Sequence, residues 1–413
     1  MNRREPNPAP QPEGSKPGEK TPAADTSPRP QFSAGDKAAL HGITPMEAVA
    51  ALYSDGHGEL SEAIIASLSR AVFKEGPGAA AGWARRFMAR VSYQILKCTT
   101  TRRSSVDGDK QSDTYHNPIL HRSGHPYANS LLASSSAETA ELVEGGDPMN
   151  GPYMMIVPEI RKAGNVWDRI FFDSVQASDV QLRFIWETQA TYESALFHLE
   201  KSGVVRMKSL AAGTGLSMIL VYDRLVREGH VPDKITAVIT DRDSSNTQKT
   251  IRLLAKLTTT RGRIPDAENG AGISARTEDV FDNEATTGQT GARKFDVVTA
   301  VGIFEYLQGC TCETTEQRHK LEELAEDATA HHLVERLDAI TTDDATVIIN
   351  TYRPHSSTRI LELFGKKFDY REREDLATLL ATANFRTARL VGTGHIYDVK
   401  VYEKNLLGRT VPS

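Results

Sequence analysis

Apolar and polar positions divide the chain into stretches of different period. Residues 1–35 have almost no apolar pattern, with eight prolines from Pro6 to Pro30 and no aromatic side chain before Phe32. Such a segment buries too little apolar surface to offset the entropy of ordering it. A disordered Pro-rich tail without a catalytic role is expected there. Over residues 37–98 the period becomes helical. Leu60, Ile64, Leu68 and Val72 recur at every fourth position, and Gly76-Pro77-Gly78 breaks the helix they predict. Trp83, Phe87, Val91 and Ile95 predict a second buried stripe, with Arg85, Arg86 and Arg90 off it. Residues 99–118 are rich in Ser, Thr and Asp and are expected to form a mobile loop. Residues 119–170 are expected to be irregular, as a lid.

From about residue 180 the pattern is regular. Leu182, Ile185, Trp186, Tyr192, Leu196 and Leu199 mark a helix. Strand-like runs follow at Val204–Ala211, Ile235–Thr240, Gly272–Thr277, Phe295–Val301 and Thr346–Asn350, separated by lengths that suit crossover helices. This alternation predicts an α/β fold with a mostly parallel sheet covered on both faces. Thr387–Val391 and His395–Tyr402 form an antiparallel-looking pair around Gly392 and Gly394. Three regions are therefore expected: the tail over 1–35, a helical cap over 36–178 and the sheet domain over 179–413.

Composition narrows the function classes. The 413 residues include 49 Lys and Arg against 54 Asp and Glu, a net charge of -5. That balance disfavours a general nucleic-acid coat, although Arg85, Arg86, Arg90, Arg102 and Arg103 remain a candidate RNA strip. No apolar run approaches the roughly 18 residues of a membrane span, and the first residues carry no apolar signal core. Three cysteines make no disulfide framework. A cytoplasmic protein without membrane partners is expected. His116, His121 and His125, and Cys310 with Cys312, lack the paired spacing of a zinc site, so no metal is expected.

The candidate chemistry lies at the strand ends. The first strand runs into Ser209-Leu210-Ala211-Ala212-Gly213-Thr214-Gly215, and a helix follows. A glycine turn there lets backbone approach a ligand, and the helix N-terminus offers free N–H groups. A plain β-to-α turn would use the same residues. Met218 stands where a dinucleotide fingerprint needs its third glycine, and no Gly-Lys-Ser/Thr occurs, so a ligand without a pyrophosphate is favoured. Asp241 ends the second strand, where a carboxylate can accept both hydroxyls of a ribose. After the third strand, Asp279 can accept an adenine amino group with Val280 or Phe281 beside the ring. Gly302-Ile303-Phe304-Glu305-Tyr306-Leu307 follows the fourth strand.

In this order, Ser209–Gly215, Asp241, Asp279, Phe295-Asp296-Val297-Val298 and the terminal strands resemble a class I S-adenosylmethionine (SAM) methyltransferase over residues 180–405. The resemblance implies a Rossmann-like class I methyltransferase sheet, parallel strands plus a terminal antiparallel strand, with SAM as cosubstrate. It implies that Ala211, Gly213 and Gly215 contact the methionine part, Asp241 the ribose, Asp279 and Val280 the adenine, and that Gly302 faces the sulfonium. Two departures stand out. The family usually has an acid at the position of Ser209 and a glycine at that of Ala211. A narrower likeness, carried by Gly302–Leu307, Asn350-Thr351-Tyr352-Arg353-Pro354, Arg359, Glu362 and Tyr370-Arg371, is to bacterial methyltransferases that make hydroxy-fatty-acid methyl ester signals.

Methyl transfer is an in-line displacement that needs alignment and desolvation more than a base. Tyr306 and Tyr192 are the candidates to face the sulfonium cation, Arg183 and Arg206 to pair with the cosubstrate carboxylate, and His355 to act as a base. Thr114–Pro118 and Tyr127 are candidates to reach the pocket from the cap. No Asn-Pro-Pro-Tyr or Asp-Pro-Pro-Tyr segment is present, which disfavours DNA-type N-methylation. The expected function is methyl transfer to a small-molecule acceptor. Two alternatives stay open: a SAM cyclase or lyase that makes azetidine-2-carboxylate and methylthioadenosine, and a SAM-fold scaffold without catalysis.

Overall fold

The computed structural model describes residues 68–73, 83–107, 110–119, 153, 156, 175–261, 272–281, 294–306, 326–353 and 373–404. The proposed tail, Leu60, Ile64, the 76–78 break, Tyr127, His121, His125, His355 and Cys310 with Cys312 lie outside these residues.

Helix α1 (Trp83–Thr99) leads into two strands, β1 (Thr101–Asp107) and β2 (Lys110–His116). The buried face of α1 carries Ser92, Tyr93 and Leu96, whereas Phe87 is 55% and Ile95 36% exposed. The predicted stripe is therefore corrected. Residues four apart advance by about 40° around a helix, so a strict fourfold run winds off one face within three steps. In the short helical piece 68–73, Leu68 and Val72 are buried as expected. The expected loop over 99–118 is instead an antiparallel ribbon whose register runs from Thr101 opposite His116 to Asp107 opposite Lys110. In the sequence, Gly108-Asp109 between the two paired runs is a two-residue hairpin signal that outweighs the polar composition. Asn117 closes the ribbon onto α1, donating to the Leu96 carbonyl at 3.0 Å and accepting from the Ile119 N–H at 2.9 Å. That anchoring takes Asn117 out of the expected pocket-facing group.

The sheet domain opens with α2 (Val175–Ser202), four residues before the expected boundary. It continues as β3 (Val205–Ser209), α3 (Leu216–Arg227), β4 (Ile235–Asp241), α4 (Ser244–Arg261), β5 (Gly272–Thr277), β6 (Phe295–Ala300), α5 (Glu326–Ile340), β7 (Thr341–Tyr352), α6 (Arg373–Ala381), β8 (Phe385–Thr393) and β9 (Tyr397–Lys404). The sheet order is β5-β4-β3-β6-β7-β9-β8. The first five of these pair in parallel, and β9 joins both β7 and β8 antiparallel. This is the Rossmann-like class I methyltransferase sheet.

Alternation along the strands builds two apolar layers, one on each face. Met207, Ile239, Val297, Ile348 and Val399 face α2, α3 and α4, with Trp186, Ile219 and Leu220. Val298, Val347, Ile349 and Tyr402 face the other way, toward Leu333 and Leu337 of α5 and Leu376 and Leu380 of α6. No helix among the described residues is long and apolar enough to cross a membrane.

The first turn of α2 is tied to the last hairpin. Asp179 accepts the Ile396 N–H at 2.5 Å and the Tyr397 N–H at 3.4 Å. Arg353 reaches the same hairpin, donating to the Gly394 carbonyl at 2.6 Å and pairing with Asp398 at 3.1 Å. Burial pushes the Asp179 carboxyl up to about 7, against the N–H donors and Arg353. A raised carboxyl binds more protons folded than unfolded, so its contribution to stability falls as pH rises from about 4 toward 7. Asp179→Asn keeps the acceptor oxygen and removes the titration. Its melting temperature relative to the unsubstituted protein is therefore expected to improve between pH 5 and about pH 7 and to level off above that. Thermal denaturation at several pH values checks this, and a constant difference would refute it.

Candidate functional site

The sheet reverses its order at β3. The chain steps outward to β4 and β5, then returns to place β6 on the other side of β3. β3 and β6 are neighbours whose following helices, α3 and α5, pack on opposite faces, and the carboxyl edge at such a reversal is where open α/β sheets bind ligands. The sequence-expected cosubstrate residues of this half of the sheet meet at that edge.

Beyond β3 the chain turns through Ala211, Gly213 and Gly215, all at positive φ of 46°, 58° and 61°. The turn is pinned to both neighbours: Leu210 N–H donates to the Thr299 carbonyl at 2.9 Å and Ala212 N–H to the Thr240 carbonyl at 3.0 Å. A Cβ on Gly215 would lie 2.4 Å from Ile239 Cγ2, so glycine is required by both φ and space. Ala211 holds a left-handed conformation with a Cβ present, a local strain of about 1–2 kcal/mol. Gly215 caps α3 without any side-chain hydrogen bond, so the N–H groups of the first turn stay available to a ligand. Ser209 is buried, and its hydroxyl accepts from Thr299 Oγ1 at 2.8 Å.

Asp241 stands at the end of β4, 8% exposed. Its Oδ2 accepts the Gly213 N–H at 2.7 Å and its Oδ1 the Asp243 N–H at 2.9 Å. Burial raises its pKa, and these two donors oppose the shift. Two ionised oxygens offer about four acceptor positions, so capacity remains for hydroxyl donors. Asp279 accepts the Phe281 N–H at 3.0 Å in a tight turn, with Val280 and Phe281 packed on the second apolar layer. A buried charge network underlies that turn. The preceding residue, Glu278, accepts Lys208 Nζ at 2.6 Å and Arg336 Nη2 at 3.0 Å, and its N–H donates to the Asp241 carbonyl at 2.9 Å. The expected ribose and adenine acids are thus joined through one residue.

On the β6 side, Gly302 has a φ of 82° and donates its N–H to Asn350 Oδ1 at 2.6 Å. Arg183 of α2 lies beside it: a Cβ on Gly302 would be 3.3 Å from Arg183 Nη1. Arg183 Nη1 pairs with Glu305 Oε1 at 2.9 Å, with side-chain exposures of 6% and 0%. Asn350 Nδ2 also reaches Glu305 Oε2 at 3.3 Å. Aromatic rings surround the guanidinium. Tyr397 lies 4.7 Å from it, and Tyr153, stacked on Phe184 at 4.2 Å, has its hydroxyl 3.4 Å from Nη2.

Other expected residues sit elsewhere. Tyr192 lies nine residues beyond Arg183, about 13 Å along α2. Its hydroxyl donates to Glu228 Oε2 at 2.5 Å and Arg224 covers its ring, both at the far end of α3. The structure therefore removes Tyr192 from the sulfonium position. Arg206 is at the amino end of β3, where its backbone N–H donates to Asp296, and it is removed from the carboxylate position for the same reason. The backbone of Tyr306 ends a short 3-10 turn over Phe304–Tyr306, after Gly302. Sequence reasoning gave no role to Glu187 or Ser217, which bond each other beside the glycine turn at 2.7 Å. The available signal was a second charged residue one turn after Arg183. No group of three or more His, Cys, Asp or Glu among the described residues is placed to hold a metal.

No protein-family model matches the chain, and no curated protein matches it in sequence. Solved structures do match at low identity. Magnesium protoporphyrin IX methyltransferase from Synechocystis PCC 6803, solved with bound SAH, is 14% identical over 55% of this chain and 87% of its own, with a TM-score of 0.34. The pyocyanin biosynthetic protein PhzM is 13% identical over 70% of this chain and 78% of its own, with a TM-score of 0.34. A possible exported protein from Bordetella parapertussis is 13% identical over 80% of this chain and 97% of its own, with a TM-score of 0.43. The class of fold is fixed by the strand order itself.

Proposed function

We propose that the chain binds SAM at the carboxyl edge of β3, β4 and β5 and transfers its methyl group to a small-molecule acceptor. One juxtaposition carries the reading: the left-handed turn of Gly213 and Gly215, opening an uncapped helix, is hydrogen-bonded to the Asp241 carboxylate across the strand reversal. Asp241 takes the ribose hydroxyls, and Asp279 with Val280 takes the adenine. Arg183, at Gly302, takes the cosubstrate carboxylate. The sulfonium then lies near Gly302, whose missing side chain lets the Arg183 guanidinium approach the backbone.

The chain's contribution is alignment and exclusion of water, since the methyl donor is already activated. The buried Arg183, Glu305 and Asn350 hold the Gly302 backbone in place. The cap over 36–178, with Tyr153 as its described contact to Arg183, is proposed to shape the acceptor side. Tyr306 and His355 keep the roles suggested by the sequence as proposals.

Asp241→Ala is expected to weaken SAM binding about 100-fold, as for the loss of two hydrogen bonds to a charged acceptor. Circular dichroism should still show the fold. Calorimetry is the check, and unchanged affinity would remove the assignment. Mass spectrometry after incubation with SAM alone separates the chemistries. Intact SAM supports an acceptor-dependent transferase. Methylthioadenosine with a four-carbon amino acid product would replace it with the cyclase reading, and binding without turnover on any acceptor would favour a scaffold.

A further inference from the structure

Glu187 lies one turn after Arg183 on α2, so the two side chains share a face. It is 9% exposed. Its Oε1 accepts the Ser217 hydroxyl at 2.7 Å, in the first turn of α3 and two residues past Gly215. Among the described residues no cation stands within ion-pair distance of it. A buried carboxylate held by one neutral donor is costly, by several kcal/mol in effective terms, unless a cation joins it. Burial accordingly pushes its pKa up to about 7, with the Ser217 hydroxyl and the Arg183 charge opposing.

The neighbouring anions are already engaged. Asp241 holds the backbone N–H groups of Gly213 and Asp243, and Glu305 holds Arg183 and Asn350. Position 209, at the end of the central strand, carries a hydroxyl bonded to Thr299 and contributes no charge. Arg183 in turn keeps a buried Nε without a hydrogen-bond partner. One helix face thus presents a cation with spare donor capacity and an anion without a cation, beside a turn whose backbone is open to a ligand.

We propose that Glu187 receives the α-ammonium group of the cosubstrate's amino-acid end, while Arg183 one turn away receives its carboxylate. This rests on the SAM-site reading above. The anion that position 209 lacks is supplied from α2 instead, and Arg183 with Glu187 recognises an α-amino-acid zwitterion.

The test compares two ligands on the full-length protein by calorimetry. S-adenosylhomocysteine carries the ammonium and the carboxylate; methylthioadenosine keeps the adenosine and has neither. Glu187→Gln is expected to weaken S-adenosylhomocysteine at least tenfold and methylthioadenosine less than twofold. Its melting temperature should hold or rise, because an unpaired buried carboxylate is removed. Unchanged S-adenosylhomocysteine affinity would overturn the proposal. So would parallel weakening of both ligands with a lower melting temperature, which marks a structural role. If the unsubstituted protein binds neither ligand, the SAM-site reading itself fails and takes this proposal with it.

Discussion

Arg183→Met is expected to lower the unfolding free energy by about 3–5 kcal/mol, a fall in melting temperature of roughly 10 °C. The substitution strands Glu305, whose side chain is fully buried and whose Oε1 holds Arg183 Nη1 at 2.9 Å. What remains to Glu305 is the Asn350 amide at 3.3 Å, a neutral donor. The loss is therefore mostly the penalty of an uncompensated charge, not the worth of the pair. Arg183→Met with Glu305→Gln should accordingly recover most of the lost stability, since both charges leave together. Chemical denaturation of the two single variants and the double closes the cycle. If the single substitution costs less than about 1 kcal/mol, the pair behaves as a solvated one and the argument fails. The double variant should remain deficient in SAM binding, because the guanidinium is missing from Gly302 in both cases.

Gly215→Ala is the second large effect. The added Cβ meets two Ile239 carbons at 2.4 and 2.8 Å, well inside contact distance, at a φ of 61°. The left-handed penalty of about 1–2 kcal/mol adds to an overpacking penalty of about 1–3 kcal/mol, for about 2–5 kcal/mol in all. Ile239→Ala in the same chain should return the overpacking part only, and no second substitution returns the backbone part. A melting temperature within 2 °C of the unsubstituted protein would show that the turn adapts more freely than a pinned one can.

Much of the sheet is readable from sequence because its central strands carry short apolar runs buried on both faces, as in β4, β6 and β7. Ile235–Thr240 and Gly272–Thr277 were placed to within a residue of the observed β4 and β5. Thr346–Asn350 falls short of β7, which begins at Thr341: Asp343 and Asp344 interrupt the apolar pattern and lie where the register with β6 shifts, between Thr341 and Thr346. The ribbon over Thr101–His116 is hard to read because its sequence has no period-2 alternation of apolar residues, and its one local signal is the Gly108-Asp109 turn pair within a polar stretch. At the site, positions that depend on backbone shape were legible, as at Gly213, Gly215 and Asp241. Positions that depend on contact between distant segments were not. Glu305 meets Arg183 across 122 residues, and Asp179 meets Ile396 across 217. Tyr192 was misjudged because an aromatic residue on the right helix says nothing about which end of that helix faces the crevice.

The position of β9 between β7 and β8 has a consequence for how the chain is made. During synthesis β9 emerges after both of its neighbours, so β8 can join the sheet only through β9, as a hairpin whose β9 edge docks on β7. Until then the antiparallel edge of β7 is unsatisfied, and Asp179 at the start of α2 lacks the backbone donors of Ile396 and Tyr397. The helix carrying Arg183 and Glu187 is consequently fastened at its first turn only when translation has passed residue 397. A chain truncated at residue 384 would hold the glycine turn and Asp241 with an untethered α2, so pairing of β9, not formation of the parallel strands, completes the crevice.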